Sequence, residues 1–202
     1  VCRKVNARTM HMPLGVTLER LDAVKPMAKP EGQIRLAYGG RLVAEKGVQD
    51  YLAISEQLYA AGYNVEAGFY FVFDRWGAVD DKIAPYKRPF TRVEVNATPV
   101  EDHFFAYAAS ADMFLCTSKH EAAGLAFQEL LALGVPGLFL DAPWVRGLVP
   151  DDYPFIYKSK NDLSEAARMF CNRLQNEESL PYDMEKVKKF ILNEHSRSLC
   201  ER

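Results

Sequence analysis

The sequence lacks several of the features that narrow a protein's function at once. Its charges nearly cancel, with 25 Lys and Arg against 27 Asp and Glu, so no basic surface indicates nucleic acid or an anionic membrane as a partner. The longest apolar and glycyl run, Leu130 to Leu140, is too short to span a bilayer. Arg3, Lys4 and Arg8 precede no apolar run, which is unlike a signal peptide. With 202 residues, of which 49% are hydrophobic, the chain is expected to form one well-buried domain.

Sulfur and imidazole groups are also sparse, and common nucleotide motifs are absent. The four cysteines and four histidines are scattered, with no CxxC pair and no zinc-ligand spacing, so no zinc site is expected. Two disulfides in a secreted protein remain conceivable, but Cys116 lies in an apolar strand-like run. That position favours a buried thiol in a reducing, cytoplasmic setting. No GxxxxGK[ST], GxGxxG or GxSxG motif is present, which removes the main support for ATPase, nicotinamide and hydrolase functions.

What the sequence does contain is a regular alternation of strand-length apolar runs and helix-period segments. This pattern predicts an α/β fold, a single Rossmann-like domain with a six-stranded, mainly parallel sheet and helices on both faces. The predicted strands are 34–38, 65–73, 92–95, 112–116, 135–140 and 155–157. The predicted helices are 48–59, 100–109, 124–133, 162–174 and one from Pro181 to about His195. Residues 1–32 have no sustained period and are expected to be a lead-in or interdomain linker before the domain at 33–202.

Two loops at the carboxyl ends of predicted strands contain candidate binding residues, because open α/β sheets bind ligands at that edge. The first loop spans residues 39–47. Gly39 and Gly40 would let a ligand approach the backbone closely, and Arg41 and Lys46 place two cations suited to a diphosphate beside them.

The second loop spans residues 118–129 and contains two acidic residues around a helix start. Glu121 precedes a small-residue turn, and the predicted helix starts near Gly124. Free backbone N–H groups at that start would bind an anion. Glu129, about one turn further along, could accept hydrogen bonds from a ribose diol.

These segments resemble the C-terminal half of a GT-B glycosyltransferase of the large group 1 family, often called family 4. Glu121 and Glu129, separated by seven residues, match the family's pair of glutamates, and residues 129–136 resemble its "EAMACGVPV" stretch. Residues 40–47 resemble "GRL…EKG", and residues 12–20 are similar to the "PNGVDLERF" linker. The strand at 111–118 and the segment at 161–163 also resemble the family pattern.

The resemblance implies a role for each candidate residue in binding a nucleotide-sugar donor. Arg41 and Lys46 would neutralise the diphosphate, Glu129 would hold the ribose, and Glu121 would contact hydroxyls of the transferred sugar. The amides of Ala123, Gly124 and Leu125 would complete the pocket. By the same resemblance Glu121, Arg41 and Lys46 would be the catalytic residues of a hexosyltransferase that retains anomeric configuration and needs no metal or other cofactor.

The sequence departs from the family at three edges of the expected donor pocket. Residues 73–77 replace the usual "GDGP" turn, residues 95–99 lack the usual glycine, and residues 142–146 replace "GGxxE". The family's acceptor-binding N-terminal domain is not in this sequence. The isolated chain is therefore expected to bind donor without appreciable transfer, and any peripheral membrane association would come through that missing domain.

Other functions fit part of the pattern. A non-catalytic nucleotide-sugar-binding or regulatory domain would use the same residues, as would a GT-B-like nucleotide-sugar epimerase that hydrolyses its donor. A generic Rossmann-like domain with no sugar ligand would use none of them. Trp76 and Trp144 could line the pocket or cap loops.

Overall fold

The computed structural model describes residues 21–39, 44–71, 83–95, 100–121 and 124–195. Strands and helices alternate along the chain as the sequence predicts. The strands are β1 Ile34–Ala37, β2 Val65–Phe71, β3 Thr91–Val95, β4 Met113–Cys116, β5 Gly137–Leu140 and β6 Ile156–Tyr157. The helices are α1 Val48–Ala60, α2 Val100–Ala108, α3 Leu125–Ala132, α4 Lys160–Gln175 and α5 Met184–His195.

The strands form one sheet in the order β3-β2-β1-β4-β5-β6, and each neighbouring pair is parallel. β4 lies at the centre, and all four of its residues are completely buried, as expected for a parallel strand covered on both faces. The chain leaves β1 towards one edge of the sheet and leaves β4 towards the other. The gap between the carboxyl ends of β1 and β4 is therefore the topological switch point.

Helices cover both faces of the sheet, as predicted. Tyr51 of α1 packs edge-on against Phe69, with ring centroids 5.2 Å apart, whereas Tyr107 of α2 lies against Gly68. Since adjacent residues of a strand point to opposite faces, α1 and α2 lie on opposite sides of β2. α4 packs beside α1, and α5 packs beside α3, which completes the two outer layers.

The bounds of most elements agree with prediction to within two residues, but the start of the last helix was predicted wrongly. α5 begins at Met184 rather than at Pro181. The carboxylate of Asp183 accepts a hydrogen bond from the Glu185 amide at 3.0 Å, which supplies an acceptor for the first turn. A capping carboxylate therefore outweighs the preference of proline for a first helical position.

The amino edge of the sheet is closed by a buried arginine that the sequence analysis did not identify. Arg35 of β1 is 1% exposed, and its guanidinium donates to the carboxylate of Glu66 at 2.8 Å and to the hydroxyl of Ser110 at 2.6 Å. It also reaches the carbonyls of Met27 and Ala28 at 3.3 and 3.1 Å. These contacts join the end of the predicted lead-in to the domain.

Candidate functional site

The two predicted loops meet at the switch point because they follow the neighbouring strands β1 and β4. The amide of Lys119 donates to the carbonyl of Glu45 at 3.0 Å. The hydroxyl of Thr117 donates to the carbonyl of Gly47 at 2.8 Å. Backbone and side-chain hydrogen bonds thus fasten residues 44–47 to residues 117–121 along the carboxyl edge.

Gly47 allows this close approach of the two loops. Its φ is +67°, in the left-handed region, and a Cβ placed there would lie 2.2 Å from the carbonyl oxygen of Thr117. Any larger residue would have to push the loops apart while adopting a strained backbone. The glycine of the family-like "EKG" segment therefore has a structural reason at this position.

Lys46 and Glu121, two of the predicted site residues, form an ion pair between the loops. The Nζ of Lys46 lies 2.8 Å from Oε1 of Glu121, and it also donates to the carbonyl of His120 at 2.6 Å. Their side chains are only 10% and 14% exposed, so the pair is partly shielded from water. Among the described residues, the Lys46 ammonium thus makes one hydrogen bond, to His120, and one ion pair, with Glu121.

Helix α3 begins at the predicted place, four residues after Glu121 in the sequence. Gly124 occupies the N-cap position with φ +61°, and no side chain caps the helix there. α4 differs, because the hydroxyl of its N-cap Ser159 accepts a hydrogen bond from the Asp162 amide at 3.1 Å. In α3 the corresponding amide, that of Phe127, donates to the Gly124 carbonyl at 2.9 Å instead of to a side chain. The amides of Leu125 and Ala126 before it are of the kind that bind anions at helix starts.

The remaining predicted site residues fall into two groups. Gly39 is described and lies against α3, where a Cβ would come within 3.2 Å of both Phe127 and Leu130. Leu125 and Glu129 lie in the first and second turns of the same helix, and both are half-buried. Gly40, Arg41 and Ala123 lie outside the described residues.

Trp144, for which the sequence left two roles open, packs over the start of α3. Its indole stacks on Phe127, with centroids 5.7 Å apart and planes at 23°, and a Cβ on Gly124 would meet it at 3.5 Å. It therefore covers one side of the helix start. Trp76 lies outside the described residues, as do most of the residues at 73–77 and 95–99 where the sequence departs from the family.

A buried phenol, that of Tyr38, and a buried thiol, that of Cys116, lie at the strand ends from which the two loops begin. Burial raises the pKa of the Tyr38 phenol well above its usual 10.0, so the hydroxyl stays protonated and donates to the carbonyl of Lys46 at 3.3 Å. Burial likewise raises the pKa of the Cys116 thiol far above 9.0. Cys116 is completely buried, as the sequence predicts, and carries no thiolate at neutral pH.

Sequence reasoning missed two hydroxyl residues at the end of β4, Thr117 and Ser118, which are 2% and 1% exposed. The Ser118 hydroxyl lies 2.8 Å from Oε1 of Glu121. Two consecutive hydroxyl residues directly after a wholly apolar strand were the available signal, since buried hydroxyls need partners.

In the part of the chain that the structure describes, no group of three or more His, Cys, Asp or Glu side chains is arranged to hold a metal ion. Within the same residues, no helix is both long enough and apolar enough to cross a bilayer.

Comparison with known proteins finds a match in structure but not in sequence. No known family matches the sequence. No curated protein matches it either. Among solved structures, the C-terminal domain of the group 1 glycosyl transferase LpcC from Francisella tularensis superposes with a TM-score of 0.61 at 14% identity, over 91% of this chain and 100% of that one.

Two larger proteins match in the same way. S. aureus TarM, in a complex that contains UDP, gives a TM-score of 0.61 at 18% identity over 88% of this chain. The pneumococcal O-GlcNAc transferase GtfA, in complex with UDP and GlcNAc, gives 0.60 at 13% identity over 94% of this chain. The chain spans 36% of the length of each of these two proteins. The expectation about the fold is therefore confirmed: this chain has the Rossmann-like fold of the C-terminal domain of a GT-B glycosyltransferase.

Proposed function

We propose that this chain is the nucleotide-sugar-binding domain of a glycosyltransferase. The observation that carries the proposal is the Lys46–Glu121 ion pair, which joins the two loops at the topological switch point beside the uncapped start of α3. The fold match supports it, because TarM and GtfA, which share this fold, were solved in complexes that contain UDP.

The positive groups at this edge suit the diphosphate of a nucleotide sugar. Lys46 lies 2.8 Å from Glu121 and makes one hydrogen bond among the described residues, to the His120 carbonyl. The start of α3 adds amides whose dipole favours negative charge. Arg41 would contribute a second cation. Together these groups can stabilise charge on a departing nucleotide diphosphate, so the proposed reaction uses no metal.

The two glutamates suit the neutral parts of the donor. Glu129, in the second turn of α3, would accept hydrogen bonds from the ribose diol, and Glu121 would accept hydrogen bonds from the transferred sugar. We propose a hexose as that sugar and retention of anomeric configuration, on the family resemblance of the two glutamates and their spacing. Gly39 and Gly40 would let the donor approach the backbone, and the amides of Ala123, Gly124 and Leu125 would line the phosphate pocket.

Transfer itself would need an acceptor site outside this chain. Because the chain spans 36% of GtfA and of TarM, we propose that a further domain binds the acceptor and closes over the donor. The isolated chain would then bind donor and transfer the sugar far more slowly than the whole protein. We also propose a cytoplasmic setting, which suits the buried free thiols of Cys116 and Cys171.

Calorimetric titration with UDP, UDP-glucose, GDP-mannose and ADP-glucose tests the proposal. At least one nucleotide should bind. Glu129→Ala should raise the Kd of the bare diphosphate at least about tenfold, because it removes a charged hydrogen-bond acceptor. Glu121→Ala should not weaken binding of the bare diphosphate, because it removes the carboxylate that pairs with Lys46, and it should weaken binding of the sugar-bearing donor only. Glu165→Ala, on the exposed face of α4, is the matched control and should change neither. No binding by the unaltered chain would contradict the proposal, and equal losses in the two glutamate variants would contradict the division of roles.

A further inference from the structure

Ser118 is a buried hydroxyl that contacts a proposed donor-binding residue. It follows β4 and is 1% exposed, and its Oγ lies 2.8 Å from Oε1 of Glu121. The carbonyl of His120 lies 3.2 Å from the same hydroxyl, at a longer distance. A serine hydroxyl has one proton, and the shorter contact to a charged acceptor is the stronger one.

Lys46 approaches the same carboxylate oxygen. Its Nζ forms an ion pair with Oε1 of Glu121 at 2.8 Å, so a cation and a hydroxyl donor converge on one oxygen. Among the described residues, Oε2 of Glu121 has no partner, which leaves it as the acceptor available to a ligand.

The two groups differ in how a bound diphosphate would affect them. The Lys46 ammonium is charged, so a diphosphate would compete with Glu121 for it. The Ser118 hydroxyl is neutral and buried beneath the loop, so it would stay on Oε1 while Lys46 is shared with phosphate. A carboxylate whose orientation is fixed before binding loses less conformational entropy when the ligand arrives.

We infer that Ser118 is a positioning residue, whose hydroxyl holds the Glu121 carboxylate so that its free oxygen accepts from a hydroxyl of the donor sugar. The inference rests on the proposed function. It assigns Ser118 no contact with donor, because the side chain is buried and acts through Glu121.

Thr117 provides a matched control for Ser118. It is the preceding residue, is 2% exposed, and donates to the carbonyl of Gly47 at 2.8 Å. Its hydroxyl supports the loop that carries Lys46, but it does not contact Glu121. A purely structural effect of losing a buried hydroxyl should therefore be seen equally in Thr117→Val and Ser118→Ala.

The test compares the affinity gain that a sugar adds, taken as the Kd of UDP divided by the Kd of UDP-glucose. GDP with GDP-mannose and ADP with ADP-glucose are the alternative pairs. Ser118→Ala should reduce this gain about fivefold and leave the Kd of the bare diphosphate unchanged. Thr117→Val should keep the gain. The double variant Ser118→Ala/Glu121→Ala should be no weaker than Glu121→Ala, because Ser118 acts only through that carboxylate.

Ser118→Cys places a weaker hydrogen-bond donor of similar size at this position and gives a second measurement if the alanine variant folds poorly. Its affinity gain should lie between those of the unaltered chain and of Ser118→Ala. Equal weakening of UDP and UDP-glucose by Ser118→Ala would show a general structural role and overturn the inference. An unchanged gain in Ser118→Ala, alongside a lost gain in Glu121→Ala, would overturn the inference alone. Failure of the unaltered chain to bind any nucleotide would instead overturn the proposed function.

Discussion

Two buried cations, Arg35 in β1 and Lys46 in the loop that follows it, have different partners at the two edges of the sheet. Arg35 at the amino edge is fully enclosed, and all five of its N–H donors have acceptors within the protein. These acceptors are the side chains of Glu66, Ser110 and Gln33 and the carbonyls of Met27 and Ala28. Lys46 at the carboxyl edge makes, among the described residues, one hydrogen bond, to the His120 carbonyl, and one ion pair, with Glu121.

The two helix starts show the same contrast. Ser159 caps α4 with its side-chain hydroxyl, whereas Gly124 starts α3 without a side-chain cap, and the Phe127 amide there bonds the Gly124 carbonyl. An ion-paired lysine and a helix start without a side-chain cap therefore belong to the two loops that meet at the carboxyl edge. The described residues show no such combination at the amino edge. We therefore interpret Arg35 as a residue that stabilises the fold rather than one that binds a ligand.

The largest expected effect concerns the amino edge. Arg35→Ala would leave Glu66 and several buried acceptors without a donor, so it should lower the free energy of unfolding by about 3–5 kcal/mol. Urea unfolding measures this loss. Arg168→Ala removes an exposed arginine that pairs with Glu165, and it should leave the unfolding midpoint unchanged. Similar losses of unfolding free energy in the two variants would show that the buried contacts of Arg35 do not stabilise the fold more than an exposed ion pair does.

A smaller effect is expected where the loops of the carboxyl edge touch. Gly47→Ala combines a left-handed backbone with a Cβ 2.2 Å from the Thr117 carbonyl oxygen. Gly62→Ala is the matched control, because its φ is +92° and no atom lies within 4 Å of the added Cβ. Both variants place alanine in a left-handed backbone, so that strain cancels in the comparison. Gly47→Ala should therefore have a free energy of unfolding about 2 kcal/mol lower than Gly62→Ala, which is the cost of the clash alone. Equal midpoints in thermal unfolding would contradict the close approach of the loops.

The smallest effect concerns the core beneath the site. Burial raises the pKa of Cys171 from 9.0 to about 12, and it raises the pKa of Cys116 further. Both thiols stay protonated in the folded chain while the unfolded chain loses those protons above pH 9, so stability is intact below that pH and falls as pH rises. Between pH 8 and pH 10 the loss should be about 1 kcal/mol for each thiol. Urea titrations of the chain and of Cys116→Ala/Cys171→Ala measure it, and an identical pH slope in the two proteins would contradict it.

The order of elements followed from the sequence because strand-length apolar runs and helix periods are local properties. β4, whose four residues are all apolar and buried, and α1, with its repeated buried face, were predicted to within one residue. The start of α5 was not, since it depends on the capping bond that Asp183 makes rather than on the proline.

The site residues were nominated by local pattern, but their contacts needed the fold. Lys46 and Glu121 are far apart in sequence, and only the pairing of β1 with β4 brings them together. Arg35 was missed because it interrupts an apolar run, and its buried partners come from distant segments. Ser118 lies in the predicted second loop, three residues before Glu121, but was given no role because a hydroxyl has no periodicity that marks its contact.

The most direct test of the account is the affinity of bare nucleotide diphosphate for Lys46→Met. Removing the ammonium should weaken the best-binding of UDP, GDP and ADP at least about tenfold, through loss of a charged hydrogen-bond donor. Lys46→Met/Glu121→Gln, which leaves no unpaired buried charge, should show the same loss, and Lys160→Met, which removes a partly exposed lysine paired with Asp50, should show none. A Kd for Lys46→Met within twofold of that of the unaltered chain would contradict the claim that Lys46, at the carboxyl edge of the sheet, binds the diphosphate.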